Sequence, residues 1–258
     1  MQKIENGQFI VNNADSDQHY SQRNNQFVQK NSKGMVEVNA ASMCNVTSLV
    51  MTADINGWKF PSGKYSQPED NLMDFISKSK EVDKYYKKTM PVMYNDWKKC
   101  KLTPSGKIDY YTPNEVHAVL AYGFNLWVGC STADTFRENV TIPEIVNELL
   151  EGRAVTISGL FSGLHHIVSL VGAKWDLSRQ YTATNNTVPK ILQGIKAQHI
   201  APATFIINDP YGDYHNYSAG KSGRGIELTY NQFIEMVKPL NNYNIKMAHF
   251  VKSGAATI

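Results

Sequence analysis

Cysteine is scarce in this sequence: Cys44, Cys100 and Cys130 are the three in 258 residues. An odd, small number excludes a disulfide framework, and no pair has metal-ligand spacing, which excludes a structural zinc site. Reduced thiols formed in a cytosolic place of synthesis are the expectation, with at least one left for chemistry. Long apolar runs are also missing. None approaches the roughly 18 residues of a membrane span. The start, Met1 to Asp17, is polar and carries both charge signs. It lacks the apolar core of a secretory signal, so work outside the cell would need another exit route. Charge of one sign is scarce too: the formal net charge of +3 is too weak for a nucleic-acid partner. No repeat or low-complexity tract is present.

A foldable globular chain is what remains. With 42% hydrophobic and 11% aromatic residues, disorder is excluded, and the length fits one domain with a sizeable insertion. The first 35 or so residues, rich in Asn, Gln and Ser, read as an extended lead-in with short strands. Val46, Leu49, Val50 and Ala53 then recur on one helical face, with Ser42 as the expected N-cap and Gly57 as the left-handed stop. That puts Cys44 in the first turn. Residues 58 to 140 read as a mostly helical insertion. Its helices are Pro68 to Lys80 and one started by a capping box at Thr112–Glu115. A second box, Thr141–Glu144, starts the next helix, which Gly152 ends. From there the pattern changes to strands at 154–157, 166–171, 204–207 and 247–251, with a short helix at 229–237. Helices first, then a mostly antiparallel sheet, is an α+β arrangement.

Cys44 is the first candidate for chemistry, because the free N–H groups and dipole of a helix N-terminus stabilise a thiolate. A cysteine nucleophile needs a base, and often a third group to orient that base. Of seven histidines, His19, His117, His199, His215 and His249 have no local context favouring catalysis. His165 and His166 open an apolar strand directly after a glycine-containing loop, and strand alternation allows only one of them to face Cys44. Asp209 ends the next strand, where its carboxylate could fix the imidazole tautomer; Asn-Asp-Pro is equally a plain turn signal. Each signal alone is weak, but Cys, then His, then Asp is the order used by papain-type enzymes.

The segments Cys44-Asn45-Val46-Thr47-Ser48-Leu49-Val50-Met51, Glu148 to Val155 with His165 to Gly172, and Asn208-Asp209-Pro210-Tyr211-Gly212 resemble the motifs of one family. It is the double-glycine-peptidase-like branch of the papain clan, stand-alone relatives of bacteriocin-processing peptidases. Tyr20-Ser21-Gln22 matches its lead-in. The resemblance covers about residues 18–55 and 141–215. It implies a papain-like fold, Cys44 as nucleophile, His166 as base and Asp209 as its orienter. Gln22 and the Cys44 backbone N–H would be the oxyanion donors. Asn45 and Val46 replace the family's usual Gly-Pro, a variant associated with phage-borne members. The stretch from Lys174 to Ala203 lengthens the gap before Asp209, which keeps Asp176 and Asn208 as alternatives. Residues 58–140 are outside the motifs.

The expected activity is hydrolysis of peptide or amide bonds without a cofactor. Peptidoglycan is the leading substrate, in the manner of a phage endolysin, and the weak positive charge would tolerate such an anionic wall. A protein-processing peptidase is the alternative. A non-catalytic wall-binding module with tyrosines and tryptophans as a stacking surface, and a metal enzyme on His165, His166 and Asp209, are other classes. Gly220-Lys221-Ser222 lacks the earlier glycine of a phosphate loop, with His215 in its place, and Asn45-Val46-Thr47 matches a glycosylation pattern by accident.

Overall fold

A computed structural model describes residues 2–15, 17–30, 34, 36–38, 40–91, 114–161, 166–176, 201–212, 222–237 and 245–254. The lead-in forms strands β1 (Gln2–Glu5), β2 (Gln8–Asn12), β3 (Gln29–Lys30) and β4 (Val36–Val38), with turns of 3-10 helix at Gln22–Asn24 and Ala40–Ser42. Helices α1 (Cys44–Ile55), α2 (Pro68–Lys78), α3 (Lys80–Thr89) and α4 (Asn114–Trp127) follow. Then come β5 (Asp134–Val140), α5 (Ile142–Leu150), β6 (Val155–Gly159), β7 (His166–Asp176), β8 (Thr204–Asn208), β9 (Ile226–Thr229), α6 (Tyr230–Val237) and β10 (Ile245–Val251). This is an α+β chain.

Eight of the strands form one antiparallel sheet with the path β1-β2-β7-β6-β10-β5, and β8 and β9 branch from β7. The 11-residue β7 is its axis. It pairs with β6 along His166–Leu170, with β2 along Gly172–Asp176 and with β8 from Ser169 to Lys174. The lead-in is therefore part of the main sheet, with β2 bound to β7. Gly172 is required there, because a Cβ would stand 2.2 Å from the Val11 carbonyl oxygen.

Helix α1 lies between layers. Every residue from Val46 to Ala53 is buried, and the helix packs on β7, β6 and β10 on one side and α2 on the other. A helix covered all round needs apolar side chains all round. Leu49, Val50 and Met51 are fully buried, each worth about 1.5–3 kcal/mol. Its face toward the sheet is polar instead. Ser48 Oγ donates to the Ile167 carbonyl (2.9 Å), Ser169 Oγ to the Ser48 carbonyl (2.9 Å) and Thr156 Oγ1 to the Ser48 carbonyl (3.1 Å). Thr52 Oγ1 lies 2.9 Å from Ser169 Oγ and 2.7 Å from Thr156 Oγ1. These buried hydroxyls are directional, so they fix how far α1 can slide along β7. Each contributes about 0.5–1.5 kcal/mol net.

Several expectations need correction. Ser42 does not cap α1; the N-cap is Met43, which makes no side-chain cap hydrogen bond, and its buried side chain anchors the helix start in the core. The helix expected over 68–80 breaks at Ser79, which ends α2 and whose side chain accepts from Val82 N–H to start α3. The insertion is not helical to its end, since β5 joins the central sheet beside β10. Along Asp134–Val140 only the two terminal residues are buried, so this polar edge strand lacks the alternation a sequence reading needs. The Thr141 box stands: Glu144 Oε2 accepts from Thr141 N–H (2.8 Å) and Thr141 Oγ1 (2.7 Å). Gly57 and Gly152 follow their helices at φ 88° and 85°. The box at Thr112, and Gly220-Lys221, lie outside the described residues.

Candidate active site

Cys44 is the first residue of the 12-residue α1 and carries a free, half-buried thiol. Its sulfur meets the end of the aligned helix dipoles, which favours a negative charge. His166 is the first residue of β7, opposite Gly159 in the β6 register. The hydroxyl seam that locks Ser48 against Ile167 therefore sets the approach of the thiol, one helical turn earlier, to the imidazole, one strand residue earlier.

Asp209 follows β8 directly and is buried. Its Oδ1 accepts from His166 Nε2 (2.7 Å) and from Tyr211 N–H (2.8 Å). Asp209 N–H donates to the Gly223 carbonyl at 2.7 Å, and a Cβ on Gly223 would lie 2.0 Å from the Asp209 carbonyl oxygen. Of the alternatives, Asn208 donates to the Gln18 carbonyl and accepts from Gly225 N–H. Asp176 ends β7 at the opposite end from His166. Asp209 is the partner that His166 meets.

Nε2 is engaged by Asp209, which leaves Nδ1 as the other ring nitrogen. Burial opposes charge on this imidazole. The hydrogen bonds to Asp209 and Cys44 and the negative charge of both outweigh it, and the His166 pKa is pushed up to about 10. His166 therefore prefers the imidazolium form at neutral pH.

Gln22 is buried in the first 3-10 turn. Its backbone N–H donates to the Pro210 carbonyl (2.8 Å), and its Nε2 donates to the Ala40 carbonyl (3.1 Å) in the turn leading into Cys44. Asn25 Nδ2 donates to Thr47 Oγ1 (3.0 Å) on α1, and the Asp70 carboxylate accepts from Gln26 and Phe27 N–H (2.8 and 3.0 Å). The Gln22 segment is thus tied to the Asp209 turn, the Cys44 turn and α2.

The sequence reading passed over His19, whose Nε2 donates to the Asp209 carbonyl (3.0 Å). It also passed over Arg23, whose guanidinium lies 4.4 Å from the centre of the Tyr211 ring. Neither carries a local signal, because both contacts depend on the lead-in crossing a turn about 190 residues away. His165 lies outside the described residues. Among the described residues no group of three His, Cys, Asp or Glu could hold a metal ion. No helix among them is long and apolar enough to cross a membrane.

No family model, curated protein or solved structure matches this chain.

Proposed function

We propose that this chain is a cysteine peptidase of papain type, cleaving peptide or amide bonds. The observation that supports this best is His166, hydrogen-bonded to Asp209 on one side and raised in pKa by Cys44, the first residue of a helix, on the other. A thiolate with an imidazolium beside it is an activated nucleophile with its acid already loaded.

In this reading the Cys44 thiolate attacks the substrate carbonyl carbon, and the carbonyl electron pair moves to oxygen. The Cys44 backbone N–H and Gln22 Nε2 are the donors toward that oxyanion. Collapse of the intermediate breaks the C–N bond, and the His166 proton goes to the leaving amine. Water, deprotonated by His166, then attacks the thioester and frees the acid and Cys44. Asp209 keeps the imidazole oriented throughout. The motif resemblance favours peptidoglycan peptides as substrate, in the manner of an endolysin, with a specific protein as the alternative.

Two experiments test this. Purified protein should clear wall material in a zymogram or cut a peptide library, and Cys44→Ala should lose at least about 1,000-fold in rate. Full activity in Cys44→Ala would end the proposal. Cutting of peptides without clearing of wall material would move the substrate to proteins.

A further inference from the structure

Cys44 and the carboxylate bonded to His166 ride on different elements, α1 and the turn after β8. One short stretch of the lead-in, Gln18 to Gln22, touches both. Toward α1, Gln18 Nε2 donates to the Asp54 carbonyl (3.1 Å) and Tyr20 N–H donates to Met51 Sδ (3.3 Å). Toward the turn, the stretch meets three consecutive residues. Asn208 Nδ2 donates to the Gln18 carbonyl (3.3 Å), His19 Nε2 to the Asp209 carbonyl (3.0 Å) and Gln22 N–H to the Pro210 carbonyl (2.8 Å). The His19 contact is the one made to Asp209 itself. The Asp209 backbone is otherwise bonded through its N–H to the Gly223 carbonyl (2.7 Å), and its carbonyl also accepts from Gly212 N–H at a longer 3.3 Å.

An aspartate side chain is short, so the place of its backbone largely decides the place of its carboxylate. Asp209 Oδ1 lies 2.7 Å from His166 Nε2, and a hydrogen bond weakens steeply as its length and angle leave the optimum. A small displacement of the turn is therefore passed on to the His166 ring. The half-buried His19 is suited to prevent that displacement. A ring nitrogen facing a carbonyl carries the proton, so Nε2 donates in the neutral and the charged form alike. We propose that His19 is a positioning residue: it ties the Asp209 carbonyl to the lead-in and, through Asp209, holds the His166 imidazole in the orientation the reaction uses. This rests on the peptidase reading and adds to it a residue that touches neither substrate nor reacting atoms.

The test uses the full chain and compares His19→Phe, which keeps a ring but no donor, with His19→Gln, which keeps a donor of similar reach. The readout is the rate of alkylation by iodoacetamide, followed at Cys44 by peptide mass, at pH 7 and pH 9.5. An imidazolium beside a thiol speeds this reaction near neutral pH, and the advantage fades above the ordinary thiol pKa of about 8.5. His19→Phe should slow alkylation about three- to tenfold at pH 7 and less than about twofold at pH 9.5. His19→Gln should stay within about twofold of wild type at both. On a cleaved peptide, His19→Phe should lower kcat by a similar factor with KM nearly unchanged. If a lowered thermal midpoint shows that the larger ring disturbs folding, His19→Ala takes its place with the same expectation. A wild-type rate at pH 7 in the variants without a donor overturns the proposal. Slowing of the same size at both pH values, or a Gln variant as slow as the Phe one, overturns it as well. A loss confined to pH 7 and rescued by Gln, in a protein that cuts no peptide, keeps the positioning role and removes the peptidase reading.

Discussion

The described residues contain two buried histidine–aspartate pairs with nearly the same distances. His166 Nε2 lies 2.7 Å from Asp209, and His249 Nδ1 lies 2.6 Å from Asp134. The neighbours on the far side of each ring make the difference. His166 goes on to a half-buried thiol at a helix start. His249 Nε2 goes on to His117 Nδ1 at 3.1 Å, and Phe136 packs against both rings. Negative partners on both sides push the His166 pKa up to about 10. Burial, then the charge of His249 and Lys246, drives His117 well below the ordinary histidine range. One pair thus holds a proton beside a half-buried thiol. The other, with His117, is a strut joining α4 to β5 and β10. A histidine on a carboxylate is common to both; a free, half-buried thiol as neighbour sets the first apart.

The sharpest way to break this contrast is to delete one histidine from each pair. His166→Ala should slow Cys44 alkylation at pH 7 by about tenfold or more and abolish peptide hydrolysis. His249→Ala should leave the alkylation rate near wild type and lower unfolding free energy by about 2–4 kcal/mol, because Asp134 and His117 are left buried without their common partner. Equal effects of the two variants on alkylation would show that the pairs are not functionally distinct.

The pH dependence of stability should separate the pairs next, by sign. His117 is harder to protonate folded than unfolded, so the native state loses stability as pH falls below about 6.5. His166 is easier to protonate folded. Its contribution is complete below about 6.5 and is lost as pH rises toward about 10. Urea midpoints at pH 5.5, 7.5 and 9.5 should fall at both extremes. His117→Gln should flatten the acid side by about 1 kcal/mol, and His166→Gln should flatten only the alkaline side. An acid limb that stays steep in His117→Gln would remove the strut from the account.

The sequence disclosed the first pair and hid the second. Cys44, His166 and Asp209 each stand at an element edge marked by a local pattern: a helix start, a strand start after a glycine-rich loop, and Asn-Asp-Pro. The α+β order was legible for the same reason. His117, Asp134 and His249 lie inside elements whose pairing is long-range. Asp134 opens a polar edge strand with no usable alternation, and His249 meets it across 115 residues. Gln22 could be picked out only by resemblance, because its position depends on the lead-in reaching Pro210. The hydroxyl seam on α1 was equally silent: Ser48, Thr52, Thr156 and Ser169 read as ordinary small polar residues until the helix is laid on β7.

A buried acid away from both histidine pairs gives the smallest and most specific prediction. Glu69, in the first turn of α2, is buried 98%, or 2% exposed, and its Oε2 has no hydrogen-bond partner among the described residues. Unlike Asp209 and Asp134 it meets no imidazole in any described contact. Burial foremost, with the charge of Asp70 adding to it against a bond from its own backbone, raises its pKa to about 7. The folded state therefore holds a proton that the unfolded chain has released, and stability drains away as pH climbs from about 4.5 to about 7. Next to it, Asp70 clamps the Phe27 end of the lead-in segment that carries Gln22. Glu69→Gln removes the ionisation while keeping the shape. It should stabilise the protein by about 1 kcal/mol at pH 8 and by almost nothing at pH 5, read as the difference in urea midpoints. A gain of equal size at both pH values would mean that packing, not charge, is what the carboxyl costs. In that case an unpaired acid would tolerate burial here as well as the two paired ones do.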